Sequence, residues 1–382
     1  ERLQPASAMR RASASSGDLS AGVSAWISNW LSPVVRPAAC EAVEGDFKEV
    51  HLWAAFRPMR KHQVTPIELT CPSCEAASNM QGLPLQRDRV VDIRGSICAL
   101  VTPFAADDSL DLAAFGRLIE QQIASGTQAL VVAGSTGEAH MLEAGEFDRL
   151  LTFALEHVAG RVPVIAGTGE AGTAKTIATT RRAQALGADA ALVVVPYYVR
   201  PTQEGLWRHF TAVADAGGLP VLLYNVPGRT GCDMLPDTVA RLREHPAIIG
   251  IKEARGDVQR IAALAELARA DFVYLSGDDA SAGAAMLAGA VGTVSVVANL
   301  VPRPFRALCD AATAGDEAAT ARCRDALEPL LHALDCAPNP IAVKAGLPPL
   351  GLGSARPRLP LVELPDGPDR ARLHQALSSL SS

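Results

Sequence analysis

The chain has 382 residues, of which 48% are hydrophobic and 20% charged, with a formal net charge of -6. That length allows a large buried core, and a net negative charge gives no electrostatic footprint for nucleic acid. No window reaches the run of about 18 apolar residues that a membrane span needs, so a soluble chain is expected.

Residues 1–90 read differently from the remainder. They hold three of the four tryptophans, mix Ala/Ser/Arg runs such as "RRASASSGD" with Pro-broken pieces, and show no sustained helical or strand period. This composition predicts disorder or weak local structure, with the segment outside the enzyme. "MQGLPLQRDRVVDIRGS" could open a complete protein at Met80, and removal of residues 1–79 is expected to leave activity intact. Cys71 and Cys74 in "CPSC" supply half of a zinc-site spacing, but no second pair completes it, and no metal or other cofactor is expected. The scattered spacing of the eight cysteines fits reduced thiols and a cytoplasmic location.

From Ile97 the text becomes regular. "ICALV" precedes "LDLAAFGRLIEQQIASG", "QALVVAG" precedes "EFDRLLTFALEHVAG", "VPVIAG" precedes "TAKTIATTRRAQALG", and "AALVVV" precedes "TQEGLWRHFTAVADAGG". "PVLLY" with "PDTVARLREHP", "IIGI" with "DVQRIAALAELARA", "FVYLS" with "SAGAAMLAGA", and "GTVSVV" continue the alternation. Short β-branched runs without polar alternation are strands buried on both faces, and amphipathic segments between them are crossover helices. Eight such units predict an α/β fold, a (β/α)8 barrel over residues 91–300, followed by a C-terminal helical segment over 301–382 in which "FRALCDAATAGDEAATARCRDALEPLLHAL" reads as extra helices packed on the barrel.

In such barrels the chemistry sits at the carboxyl ends of the strands. The residues that follow the apolar runs are Thr102, Ser135, Thr136, Thr168, Tyr197, Tyr198, Tyr224, Asn225, Lys252, Glu253, Ser276, Asp278 and Ser295, whereas the opposite ends carry nothing comparable. Lys252 stands out, because the chain has only five lysines and this one closes the apolar run "AIIGIKEA". An amine attacks a ketone only when unprotonated, and an apolar surrounding disfavours its charged form. A phenol such as Tyr224, at the end of the preceding strand, can shuttle the protons of Schiff-base formation. "AGSTGEA" offers two hydroxyls and backbone N–H groups that could hold a carboxylate, or could simply cap a helix. Arg229 in "YNVPGRTG" supplies a fixed cation for a second carboxylate. "GTGEAG" at 167–172 matches a dinucleotide fingerprint, but Asp189 precedes its strand and lies at the wrong end for a ribose contact, so the glycines are expected to serve a tight βα turn.

Taken together, "GSICALVTPF", "GSTGE", "VIAGTG", "PYYVRPTQEGLWRHF", "LYNVPGRTG", "GIKEA", "LSGDDAS" and "APNPIAVK" resemble the dihydrodipicolinate synthase family of lysine-dependent pyruvate aldolases, from about Gly95 to the C-terminus. The resemblance implies that Lys252 forms a Schiff base with pyruvate. Tyr224 would transfer protons, relayed through Ser135 to a Tyr198 reaching in from a neighbouring subunit. Ser135 and Thr136 would bind the pyruvate carboxylate, and Arg229 the carboxylate of L-aspartate 4-semialdehyde. The backbones of Gly277 and Val294 would line the pocket. It also implies a homotetramer built as a dimer of dimers, with neither nucleic acid nor membrane as a partner.

The sequence departs from the family pattern at two places. The relay hydroxyl is Ser135 where Thr is usual, which leaves χ1 freer. Positions that carry His, His, Asn and Glu in lysine-sensitive members align with Ala144, Phe147, Ala171 and Lys175, so feedback inhibition by lysine is expected to be weak or absent. Two other readings use the same residues. A 2-keto-3-deoxy sugar acid or N-acetylneuraminate aldolase would share Lys252 and Tyr224, although Arg229 suits a carboxylate better than a sugar tail. A non-catalytic keto-acid sensor would have no need of an amine nucleophile.

Overall fold

The apolar residues of the strands fall alternately into two layers, and that division defines the architecture. The structure is a computed structural model that describes residues 91–381. The expectations for residues 1–90, including "CPSC" and Met80, lie outside the described residues.

The elements run β1 (Gly95–Ala99), α1 (Leu112–Ala124), β2 (Ala129–Val132), α2 (Ala144–Val158), β3 (Val164–Gly167), α3 (Thr173–Leu186), β4 (Ala190–Val194), α4 (Gln203–Ala216) and β5 (Val221–Asn225). They continue through α5 (Pro227–Thr230), α6 (Pro236–Leu242), β6 (Ile248–Glu253), α7 (Val258–Ala265), β7 (Val273–Ser276), α8 (Ala282–Leu287) and β8 (Gly292–Ser295). All neighbouring strands are parallel, and β8 pairs back onto β1, closing an eight-stranded barrel. Inside it pack Ile97, Val131, Ile165, Leu192, Leu222, Leu275 and Val294. The intervening residues, Cys98, Leu130, Val132, Val193, Leu223 and Ile251, face the helices in the second layer. A side chain alternates faces with period two along a strand, so a strand buried on both faces must be apolar throughout. Each fully buried Leu, Ile or Val contributes about 1.5–3 kcal/mol relative to exposure.

Helices α1, α4 and α7 start where a short polar side chain takes up a free backbone N–H. Asp111, Thr202 and Asp257 accept from Ala114 N, Gly205 N and Arg260 N at 2.9, 3.2 and 3.0 Å, caps worth about 1 kcal/mol each. The segments expected over 236–246 and 257–270 are helical only through Leu242 and Ala265, where the apolar period gives way to turns.

The helices expected after residue 300 are present, with one irregular stretch among them. Helices α9 (Pro302–Thr313), α10 (Glu317–Leu334), α11 (Ile341–Ala345) and α12 (Pro368–Ser381) are present, but residues 346–367 hold only a 3-10 turn, Pro348–Leu350. Five prolines in this stretch and the left-handed Gly351 and Gly353 are incompatible with a helix. The stretch is nonetheless anchored: Arg358 Nη1 donates to Glu146 at 2.6 Å, and the Arg356 guanidinium pairs with Asp108 at 2.7 Å. None of the described helices is long and apolar enough to cross a membrane.

Candidate active site

Lys252 is the fifth residue of β6 and turns inward, between the outward-facing Ile251 and Glu253. It is only 5% exposed. On the adjacent strand the residue in register with it is Tyr224, itself 7% exposed, and Lys252 Nζ stands 4.2 Å from the centroid of the phenol ring. Contact with the face of an aromatic ring stabilises a cation, so the amine is held in one place without a carboxylate neutralising it. The phenolic oxygen of Tyr224 makes no hydrogen bond among the described residues, which leaves it available to a reacting group.

Gly277 follows β7 and abuts the lysine stem. A Cβ there would sit 2.8 Å from Lys252 Cε and 2.9 Å from Cγ, so only glycine admits this rotamer of the lysine. The Gly277 N–H donates to Glu253 O at 2.7 Å, tying the end of β7 to the end of β6. Val294 lies in β8, buried, in the same inner layer as Tyr224 and Leu275. These four residues therefore line one end of the barrel interior.

Ser135 and Thr136 follow β2 on the same rim. The Thr136 hydroxyl does not cap a helix; it accepts from Asn339 Nδ2 at 2.9 Å. Asn339 also reaches Arg229, whose Nη2 donates to its carbonyl oxygen at 3.0 Å. One residue between α10 and α11 thus bridges the hydroxyl loop and the cation of α5. Only the quoted "APNPIAVK" pointed to it, and sequence reasoning assigned it no role. Arg229 itself is on the short helix α5, exposed and presented to the rim by the left-handed Gly231 that ends the turn.

Tyr198 is not brought to this cluster within one chain. It is 90% exposed with a left-handed backbone (φ 71°), and its N–H donates to Thr230 O at 3.3 Å. Its neighbour Tyr197 turns the other way. The Tyr197 hydroxyl donates to Glu170 Oε2 at 3.1 Å, its ring packs 4.7 Å from His140, and burial beside that carboxylate pushes the phenol up to about 12.

A second lysine in apolar text, Lys344 in "IAVKAG", has the opposite surroundings. It is fully buried, pairs with Glu138, donates to Arg356 O at 2.9 Å and stands 4.2 Å over the Phe104 ring. Burial lowers it to about 8 despite the carboxylate. Its donors are consumed in fastening the "GSTGE" loop to the C-terminal segment, so it is a structural cation rather than a nucleophile.

The glycine-rich "GTGEAG" also resolves. A Cβ at Gly167 would lie 2.1 Å from Ala133 O, and one at Gly169 2.4 Å from Val194 N, so these glycines permit close approach of neighbouring strand ends rather than the expected turn. Asp189 accepts from Val164 N at 2.8 Å, at the start of β3 and far along the barrel from the rim. No group of metal ligands occurs among the described residues.

A model of the dihydrodipicolinate synthetase family matches residues 92–380. The 4-hydroxy-tetrahydrodipicolinate synthase of Xanthomonas axonopodis pv. citri (strain 306) is 58% identical over 274 residues, covering 72% of this chain and 90% of its own. That of Stenotrophomonas maltophilia (strain K279a) is 51% identical over 297 residues, covering 76% of this chain and 100% of its own. Among solved structures, the chloride-inhibited dihydrodipicolinate synthase of Acinetobacter baumannii complexed with pyruvate superposes with a TM-score of 0.74 at 43% identity, over 76% of this chain and 99% of that one.

Proposed function

The chain belongs to the dihydrodipicolinate synthetase family, and from that premise we propose how this rim carries out the lyase reaction of its relatives. The reaction condenses pyruvate with L-aspartate 4-semialdehyde to 4-hydroxytetrahydrodipicolinate, on the diaminopimelate route to lysine. The observation that carries the proposal is the buried pair of Lys252 and Tyr224, in register and in contact at the barrel rim.

The neutral amine of Lys252 attacks the C2 carbonyl of pyruvate. The Tyr224 phenol delivers the proton that leaves with the carbinolamine oxygen as water, giving the Schiff base. The pyruvate carboxylate rests on the backbone of Ser135 and Thr136, a loop fixed by Asn339 and by the Glu138–Lys344 pair. Tyr224, having given its proton to the departing water, takes one from C3 and gives the enamine. Arg229 grips the carboxylate of the semialdehyde, and the enamine carbon attacks its aldehyde. The amine of the semialdehyde then adds to C2, expels Lys252 and closes the ring. The backbones of Gly277 and Val294 line the space in which this happens.

Tyr198 acts in this scheme on a neighbouring copy, its hydroxyl completing a proton relay with Ser135 and Tyr224. The 90% exposure of its ring on a backbone anchored to Thr230 supports that role, which needs at least a dimer; the assembly we propose is a homotetramer built as a dimer of dimers. Cys98, Cys232, Cys309, Cys323 and Cys336 are all free thiols, in keeping with a cytoplasmic setting. Residues 91–300 carry the catalytic barrel and 301–382 the helices and strap that brace its rim.

Assaying purified protein with pyruvate and the semialdehyde tests the reading. Formation of the cyclic product, without cleavage of 2-keto-3-deoxy sugar acids or N-acetylneuraminate, is the expected result. The reverse pattern would transfer the chain to the sugar-acid aldolases.

A further inference from the structure

Directly outside the reacting pair lies a second pair that the mechanism does not use. The last three register pairs of β5 and β6 are Leu223 with Ile251, Tyr224 with Lys252, and Asn225 with Glu253. The middle pair faces the barrel interior. The first is apolar and faces the helices, as the alternation requires. The third occupies the same outward face, yet it is an amide and a carboxylate, 0% and 1% exposed.

Burying a carboxylate is costly unless its oxygens are satisfied, and an apolar pair would close this position at lower cost. Here the oxygens are satisfied by a network. Asn225 Nδ2 donates to Glu253 Oε2 at 2.9 Å and to Asp233 Oδ1 at 2.7 Å, while Asn225 Oδ1 accepts from Met234 N at 3.0 Å. Glu253 Oε1 accepts from Arg255 N at 2.9 Å, and the Arg260 guanidinium lies 3.5 Å from Oε2. Asp233 in turn pairs with Arg260 at 2.5 Å and with Arg255 at 2.8 Å.

The network therefore bonds the last side chain of β5 to the last side chain of β6, one residue beyond the two that react. We infer that Asn225 and Glu253 are positioning residues, which act through the strand ends to hold Tyr224 and Lys252 at their working separation. The inference rests on the Schiff-base role of Lys252 proposed above. At this end the backbone ladder of β5 and β6 closes with the Ala254 N–H donating to Asn225 O at 3.0 Å, and beyond it the chain turns away to α5 and α7. The side-chain bond from Asn225 to Glu253 adds a second tie to that last backbone bond. A displacement of about 1 Å at a reacting group can cost about a hundredfold in rate, so such a tie is worth keeping despite its burial.

The test uses the full chain and the variants Glu253→Ala, Glu253→Gln and Asn225→Ser. Each is incubated with varied pyruvate and borohydride, and the rate of adduct formation on Lys252 is followed by mass spectrometry, with circular dichroism and thermal midpoint recorded alongside. Folded Glu253→Ala and Asn225→Ser should lose about tenfold or more in maximal trapping rate, with half-saturating pyruvate changed by less than about threefold. Glu253→Gln, which keeps an oxygen for Asn225, should recover most of the rate. Wild-type trapping rates in folded Glu253→Ala or Asn225→Ser would overturn the inference, as would a loss in all three that simply follows the thermal midpoint. If Glu253→Ala does not fold, Asn225→Ser decides the matter alone. Absence of any adduct on the unmodified protein would instead remove the Schiff-base reading on which the inference stands.

Discussion

Lys252 Nζ stands 4.2 Å from the centre of the Tyr224 ring, and the two residues are register partners on adjacent parallel strands. Register places the two side chains on the same face at the same height, and burial keeps water from competing for either. Tyr224→Phe keeps the ring and its contact with Lys252 but removes the proton carrier. Adduct formation with pyruvate should slow by about 10²- to 10⁴-fold while the thermal midpoint stays close to wild type, measured by timed borohydride quenches. An unchanged trapping rate would assign the proton transfers to another group.

Arg229 is exposed and, among the described residues, its side chain is held by one hydrogen bond, to the Asn339 carbonyl, so its removal leaves the barrel intact. In Arg229→Ala the KM for the semialdehyde should rise by about 10- to 100-fold, the worth of a charge-assisted contact, with pyruvate trapping nearly unaffected. Steady-state kinetics with each substrate varied separately distinguishes this from a general loss of activity.

Burial pushes the Glu253 carboxyl up from 4.5 to about 7, against the opposing bonds from Asn225 and Arg255. The folded chain then retains a proton that the unfolded chain has already released between these two values. Stability from this group is therefore present below pH 4.5 and falls as pH rises towards 7, by up to roughly 3 kcal/mol. Glu253→Gln does not titrate and lacks that decline. Thermal midpoints of the two proteins from pH 4.5 to 7.5 should diverge in favour of the variant as pH rises, and parallel curves would contradict the assignment.

Phe147 is buried in the outer apolar layer and Lys175 is exposed on α3. Neither offers the imidazole or carboxylate that a bound lysine needs, and Lys175 repels its ammonium groups. Millimolar L-lysine should leave the initial rate nearly unchanged; strong inhibition below 1 mM would show that lysine finds other partners on this surface.

Much of this was legible in the sequence because a parallel barrel leaves a strong trace. A strand covered on both faces cannot alternate, so "ALVV", "AALVV" and "VLLY" announced themselves, and the residue after each run was placed on the rim by the fold itself. Lys252 and Tyr224 were found that way. What remained hidden is long-range. Asn339 reaches Thr136 across 203 residues of sequence, and Lys344 reaches Glu138, which no local period encodes. The same applies to the network around Glu253: its sequence position marked it as a rim residue, but only the outward turn of the side chain shows that it braces the pair rather than joining it. The irregular strap at 346–367 leaves no periodic trace, because its hold on the barrel runs through Arg356 and Arg358 to residues more than 200 positions away.

The most direct measurement of the central claim is mass spectrometry of the intact protein after incubation with pyruvate and borohydride, beside Lys252→Ala. A lactyl-sized adduct mapped to Lys252 and missing from the variant is the result this account predicts. A folded wild-type protein that takes up no adduct, or one whose adduct persists in Lys252→Ala, would contradict it.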